Sequence, residues 1–298
     1  MKQKYSHISD APLSLKLLGF SQQLASFCTG AFECFQSAAF MGLIDDKVFR
    51  KWDTYPYHEN PGSVDSLKDV EKGFEDWEQK IVDDQASNHG STLVIAAGGG
   101  REAVAFKNRG SRVEGIEFDA DLAASTNEVL KEKEIPVEHQ PHFEIPEPAE
   151  TYNTVFIGRL YLSYIYDRTV RIEFLKKVRA AMKDDGVLIF GYYMRPEDPK
   201  AGLARSFRLQ APIANFLRKI SGRKKQQRVE IGNHLDPYIP NFHQHFIEEE
   251  VRDELREAGF DTIEQGKTWF GWAAASPVKT PESLSKTSKP DLELAVSV

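Results

Sequence analysis

Apolar positions along the chain follow two different rhythms. Between residues 12 and 48, Leu17, Leu18, Leu24, Phe27, Ala31, Phe32, Phe35 and Phe40 recur at close to helical spacing, which predicts helices. The stretch WDTYPYHENPGSVDS, residues 52–66, holds Pro56, Pro61 and Gly62 and reads as loop, with a polar helix predicted over about 64–85. Beyond residue 90, short apolar runs alternate with amphipathic ones. Strands are predicted at 93–97, 113–118, 137–142, 154–158 and 187–192, with helices at 101–109, 122–133 and 168–182. Strand–helix alternation requires right-handed crossovers and gives a parallel sheet covered on both faces.

Residues 195–240 interrupt that rhythm. A helix then returns at 246–258, with acidic residues in its first turn and Gly259 at its C-terminal end. Two more strands, 261–265 and 268–275, are predicted around a tight turn at Gly266–Lys267. The expected fold is α/β: a Rossmann-like, doubly wound, mostly parallel seven-stranded sheet closing with an antiparallel β-hairpin, plus an N-terminal helical cap. The expected domains are a cap at 1–85, an α/β domain at 86–276 with a helical insertion at 195–240, and a disordered tail at 277–298. The tail is rich in Ser, Thr, Pro and Lys.

Composition narrows the class. The chain has 298 residues and a net charge of −7, which disfavours a protein that wraps nucleic acid with its whole surface. Its two cysteines, Cys28 and Cys34, give neither a disulfide framework nor a CxxC motif, and a reduced, cytoplasmic setting is expected. The start, MKQKYSHISD, is polar and lacks a signal-peptide core. The most apolar stretch, 25–44, contains Glu33, Gln36 and Ser37 and reads as a buried helix rather than a membrane span.

The chemistry concentrates at TLVIAAGGGREAVAF, residues 92–106, where a strand meets three glycines and then a helix. At the carboxyl end of a strand in an open parallel sheet, glycines let the backbone pass close to a ligand, and the next helix offers free N–H groups. The dinucleotide pattern GxGxxG has Ala103 in its third glycine position, so the turn alone is a weak signal. Glu117 ends the next strand, 17 positions after Gly100, where a carboxylate can accept from a ribose diol. The alternative is a plain tight turn beside a solvated acid.

The block from Ser91 to Leu130 resembles the cofactor half of class I S-adenosylmethionine-dependent methyltransferases. YNTVFIGRLYLSYI with RIEFLKKVRAAMKDDGVLIFGYY resembles that family's fourth strand, crossover helix and fifth strand. HFIEEEVRDELREAGFDTIE and the closing hairpin resemble its last segment. Together the resemblance covers residues 86–194 and 243–276. It implies S-adenosyl-L-methionine as cofactor, held by Ala96, Ala97, Gly98, Gly100, Glu117, Phe118, Gly158 and Arg159. The family's glycine turn opens on an acid; here that position is Ala96, and its last glycine is Glu102. The methionine end is therefore expected to rest on backbone carbonyls around Ala96–Gly98 and Gly158, with Glu102 as a partial substitute.

The resemblance implies methyl transfer to oxygen or nitrogen of a small molecule or short peptide. Such a reaction is mainly a positioning problem, and a base is needed only if the acceptor must lose a proton. No catalytic dyad stands out; His245 is the candidate base. Candidate acceptor-binding residues are Tyr161 and Tyr164 after the fourth strand, and Tyr57 and His58, with Tyr55, in the cap loop. His234, His243, His245 and Asp236 match no common zinc spacing, and no metal is expected. Residues 201–228 hold eight Lys or Arg and no acid, with Pro212 expected to split them into two short helices. This basic segment reads as a lid over an anionic acceptor, a peripheral membrane contact, a docking face for an acidic peptide or, least favoured because the remaining surface would repel it, RNA, or simply a solvated helix pair. The competing functions are an NAD(P)-dependent oxidoreductase and a non-catalytic binder of S-adenosylmethionine.

Overall fold

The structure, a computed structural model, describes residues 13–45, 69–86, 90–146, 151–158, 160–198, 202–222, 228–235 and 242–279. In chain order its elements are α1 (Leu13–Leu43), α2 (Asp76–Gln85), β1 (Ser91–Ile95), α3 (Arg101–Asn108), β2 (Arg112–Glu117), α4 (Ala120–Leu130), β3 (Val137–His139) and β4 (Tyr152–Ile157). There follow α5 (Tyr161–Tyr164), α6 (Arg168–Ala180), β5 (Met182–Tyr192), α7 (Gly202–Ile220), β6 (Asn233–Leu235), β7 (Phe242–Gln244), α8 (Glu248–Glu257), β8 (Phe260–Lys267) and β9 (Gly271–Pro277). The chain divides into two compact units, one of residues 1–53 with 195–243 and one of residues 54–194 with 244–298.

The larger unit is built on a seven-stranded sheet in the order β3-β2-β1-β4-β5-β9-β8. All neighbours from β3 to β5 pair in parallel, and β9 runs antiparallel to both β5 and β8. Side chains alternate strictly between two cores, as a pleated strand buried on both faces demands. Leu93, Ile95, Val155, Ile157, Leu188 and Phe190 face a core completed by Phe174, Leu175 and Val178 of α6 and by Val251 and Leu255 of α8. Val94, Phe156, Val187 and Ile189 face the other, completed by Ile81 and Val82 of α2 and by Val104 and Phe106 of α3. The sheet is thus doubly wound, and its carboxyl edge carries the loops after β1, β2, β4 and β5.

The closing hairpin differs from the sequence expectation. Its turn is Thr268–Phe270, closed by the Thr268 N–H on the Phe270 carbonyl at 2.8 Å, while Gly266 and Lys267 stay in β8. Gly266 serves close approach rather than turning. A Cβ there would stand 2.1 Å from Cζ2 of the Trp272 indole lying across it.

In the smaller unit, α1 and α7 lie against each other. Gly42 permits this, since a Cβ there would meet the Leu217 Cβ at 2.6 Å. Arg218 turns inward, its Nε–H donating to the Met41 carbonyl at 2.8 Å, and the Leu235 N–H donates to Ser37 Oγ at 3.1 Å. Pro212 does not split the segment: α7 is a single helix with the proline inside it. Its Phe207, Ala211, Ala214 and Arg218 are buried at i, i+4, i+7 and i+11, and that continuous packed stripe offsets the roughly 3 kcal/mol a helical proline costs. Among the described residues, no helix is long and apolar enough to cross a membrane.

One buried ion pair ties the larger unit together. Arg171 of α6 is fully buried and grips Glu254 of α8 through two bonds of 2.9 and 2.7 Å, and its third nitrogen donates to the Ile165 carbonyl at 2.7 Å. Removing one partner leaves an uncompensated buried charge. Glu254→Ala is therefore expected to lower stability by about 3–5 kcal/mol in urea unfolding, and the double variant Arg171→Met, Glu254→Leu to recover most of it.

Candidate functional site

Three strand ends converge at the carboxyl edge of the sheet. After β1 the chain turns through Ala96 at φ +53°, Gly98 at φ +52° and Gly100 at φ +87° before entering α3. Ala96 adopts a left-handed conformation that a non-glycine residue holds only when its surroundings impose it. Here the neighbouring strands impose it: the Ala97 N–H donates to the Ile116 carbonyl at 3.0 Å, and the Gly158 N–H to the Ile95 carbonyl at 2.6 Å. The Thr126 hydroxyl of α4 ties the turn down from outside, donating to the Gly98 carbonyl at 2.6 Å.

Glu117 is the centre of this arrangement. Its side chain is buried and accepts from three backbone groups: Gly98 N–H at 2.8 Å on one oxygen, and Phe118 N–H at 2.8 Å and Asp119 N–H at 3.2 Å on the other. Burial pushes its pKa above the ordinary glutamate value, and the nearby Asp119 charge adds to this, while the three N–H groups pull the other way. A carboxylate has about four acceptor positions, so Glu117 retains capacity for a further donor.

The walls of the site are aromatic and backbone. Phe118 is sandwiched by Tyr161 at 4.6 Å between ring centroids and His142 at 5.7 Å, both nearly parallel to it. Gly158 has the Ala96 carbonyl against its Cα; a Cβ at 158 would stand 2.2 Å from that oxygen. Gly98 is open on its outer side, with nothing within 4 Å of a Cβ position, whereas Gly100 turns inward against Leu130.

A second cluster lies further along the same edge. Tyr164, at the end of α5, meets Tyr193 edge to face at 6.3 Å, and Tyr193 stacks on His245 at 5.2 Å. The Tyr193 N–H donates to the buried Ser163 hydroxyl at 2.8 Å, which fixes the end of β5 against α5. His245 Nδ1 lies 3.3 Å from the Met194 carbonyl. A carbonyl only accepts, so this contact assigns the proton to Nδ1 and the lone pair to Nε2.

The structure therefore brings Ala96, Ala97, Gly98, Gly100, Glu117, Phe118 and Gly158 to one place, with Tyr161 packed behind Phe118. Tyr164 and His245 stand in the second cluster. Arg159, Tyr55, Tyr57, His58 and Asp236 lie outside the described residues. Glu102 does not face the site: its carboxylate is bonded to Arg101, which also grips Glu78 of α2 at 2.7 and 2.8 Å. His234 belongs to the smaller unit and contacts Gln210. Sequence reasoning passed over Thr126, His142 and Tyr193, whereas Ser163 lies in the stretch after the fourth strand that it singled out. Asp119 was legible, because an acid three residues before Leu122 at a helix start is a capping signal, and its carboxylate does accept from the Leu122 N–H at 2.8 Å. Tyr193 directly follows a predicted strand and could have been placed at the carboxyl edge.

No protein-family model matches the chain, and no curated protein sequence matches it. Solved structures do share its fold. An S-adenosylmethionine-dependent methyltransferase from Methanosarcina mazei aligns with a TM-score of 0.53 at 14% identity, over 70% of this chain and 100% of that one. One from Clostridium acetobutylicum ATCC 824 aligns at 0.51 and 9% identity, over 78% and 99% of the two chains. The CcbJ methyltransferase from Streptomyces caelestis aligns at 0.51 and 12% identity, over 79% and 100%. The larger unit, with its single antiparallel strand next to the edge, has the fold of the class I S-adenosylmethionine-dependent methyltransferases.

The close approach at Gly158 is directly testable. Gly158→Ala is expected to lower stability by about 3 kcal/mol in urea unfolding, because the new methyl meets backbone rather than a movable side chain.

Proposed function

We propose that the chain is an S-adenosyl-L-methionine-dependent methyltransferase acting on oxygen or nitrogen of a small molecule or short peptide. The observation that carries this reading is the buried Glu117 carboxylate, held by the Gly98 N–H at the carboxyl ends of β1 and β2 with acceptor capacity to spare. The residues fit the cofactor. Glu117 suits a ribose hydroxyl, the open face of Gly98 leaves room for the cofactor to pass the turn, and Phe118, covered on both faces by Tyr161 and His142, would meet the adenine only at its ring edge. The Ala96 and Gly158 carbonyls would serve the ammonium group in place of the acid this turn lacks. When bound, the cofactor supplies a methyl group already activated on a sulfonium.

The acceptor would lie over the second cluster. Tyr164 and Tyr193 offer flat faces and hydroxyls to orient it. His245, with its proton on Nδ1, would take the acceptor's proton at Nε2 when the acceptor is a hydroxyl or a charged amine. Arg159, Tyr57 and His58 complete the proposed site on sequence grounds. A cytoplasmic setting suits both cysteines, which are free thiols. The antiparallel β9 weighs against a dinucleotide oxidoreductase, whose doubly wound sheet continues in parallel.

Isothermal titration tests the reading: S-adenosylmethionine and S-adenosylhomocysteine should both bind, and well-folded protein that binds neither would sink it. Glu117→Ala should weaken binding roughly 10- to 100-fold, from one lost hydrogen bond to a charged group. The pH dependence has a definite sign. Glu117's folded pKa is raised, so between the ordinary glutamate value and the raised one the folded apo protein holds the extra proton. Its contribution to apo stability is therefore lost as pH rises through that window. Cofactor affinity should move the opposite way, strengthening with rising pH over the same window as the carboxylate becomes free to accept. Titrations across the acidic range read both effects.

A further inference from the structure

Helix α7 carries a second apolar stripe besides the one buried against α1. Leu209, Phe216 and Ile220, at i, i+7 and i+11, are 55, 61 and 63% exposed and share its outer face. Arg208 and Lys219 are exposed along the flank of that stripe, whereas Arg218 points inward to Met41. The surrounding segment, residues 201–228, has eight cations and no acid in a chain whose net charge is −7. In the same unit α1 exposes Phe32 and Phe35, and Glu33 is its only acidic residue.

Large exposed apolar side chains beside cations call for a partner that is both apolar and anionic. A second copy of this chain fits poorly, because a symmetric contact through α7 would set its cations against their own copies. An acidic peptide would neutralise the charge, but the outward stripe is a helical ridge rather than a groove for side chains to enter. We propose that α7 lies on an anionic lipid surface. Leu209, Phe216 and Ile220 enter the boundary between headgroups and acyl chains, and Arg208 and Lys219 meet the headgroup phosphates. Attachment is peripheral, since no helix among the described residues can cross a bilayer. The inference is independent of the methyl-transfer reading.

The test is sedimentation of the full-length chain with vesicles of phosphatidylcholine alone and of phosphatidylcholine mixed with phosphatidylserine, at low and high salt. The chain should partition onto the mixed vesicles only, and high salt should release it. Arg208→Gln with Lys219→Gln should weaken partitioning roughly 30-fold, the equivalent of two interfacial cations at about 1 kcal/mol each. Phe216→Ser with Ile220→Ser should abolish it while circular dichroism and thermal melting stay unchanged, because both side chains face outward. Absence of binding to the mixed vesicles, or equal binding to both kinds, overturns the proposal. So does light scattering that shows a dimer dissociated by the Phe216/Ile220 variant with no vesicle binding, which would assign the stripe to a second copy. Capture of a soluble acidic peptide without vesicle binding would assign it to a protein partner and equally overturn the proposal.

Discussion

A single buried carboxylate organises the functional edge of the larger unit. Glu117 ends β2, yet it receives the Gly98 N–H from the turn after β1 together with the first two N–H groups of its own loop. Two crossover connections are thereby fastened to each other through one side chain. Buried backbone donors need partners, and a charged acceptor is the strongest available. The burial that raises the Glu117 pKa and the N–H groups that lower it are two sides of one arrangement: a charge removed from water and held by dipoles. The left-handed Ala96 and the tight β1–β4 approach at Gly158 belong to the same knot.

A second network supports the first from below. Arg101 opens α3 directly after the glycine turn and is clamped between Glu102 and Glu78, so α2 braces the start of the helix whose N–H groups face the site. Burial and the neighbouring Glu78 charge raise the Glu102 pKa, opposed by the guanidinium. On the opposite layer, Arg171 and Glu254 tie α6 to α8, and the Ile165 carbonyl joins α5's trailing loop to the same guanidinium. The helix that carries Tyr161 and Tyr164 is thus anchored through ion pairing some distance from either tyrosine. Pairs of this kind favour one arrangement of elements over another more than they add net stability.

The two clusters at the carboxyl edge differ in chemical character, and this suits a division of labour. Around Glu117 the groups are backbone N–H and carbonyl dipoles with one carboxylate, appropriate to a polar ligand of fixed shape. Around Tyr193 they are aromatic faces with one imidazole, which under the proposed function would orient and deprotonate an acceptor. The short helix α5 joins them, with Tyr161 packed into the first and Tyr164 into the second. A shift of this helix would move both walls together.

Periodicity and glycine placement made the architecture legible from the chain alone. Alternating apolar runs with crossover helices admit few packings, and the glycine turn with Glu117 at the next strand end marks the ligand edge. Local pattern was insufficient wherever two distant segments had to meet. Gly266 looks like a turn residue until the Trp272 indole is seen lying on it, and Pro212 looks like a helix breaker until the stripe packed on α1 is counted. Glu102 looks available to the site until Arg101 and Glu78 claim that corner. Tyr193 and His245 are 52 positions apart and share no motif, so only the fold stacks them. Sequence fixes which backbone conformations and faces are available. Tertiary contact decides which of them a given side chain serves, because burial energy is shared among residues that are remote along the chain.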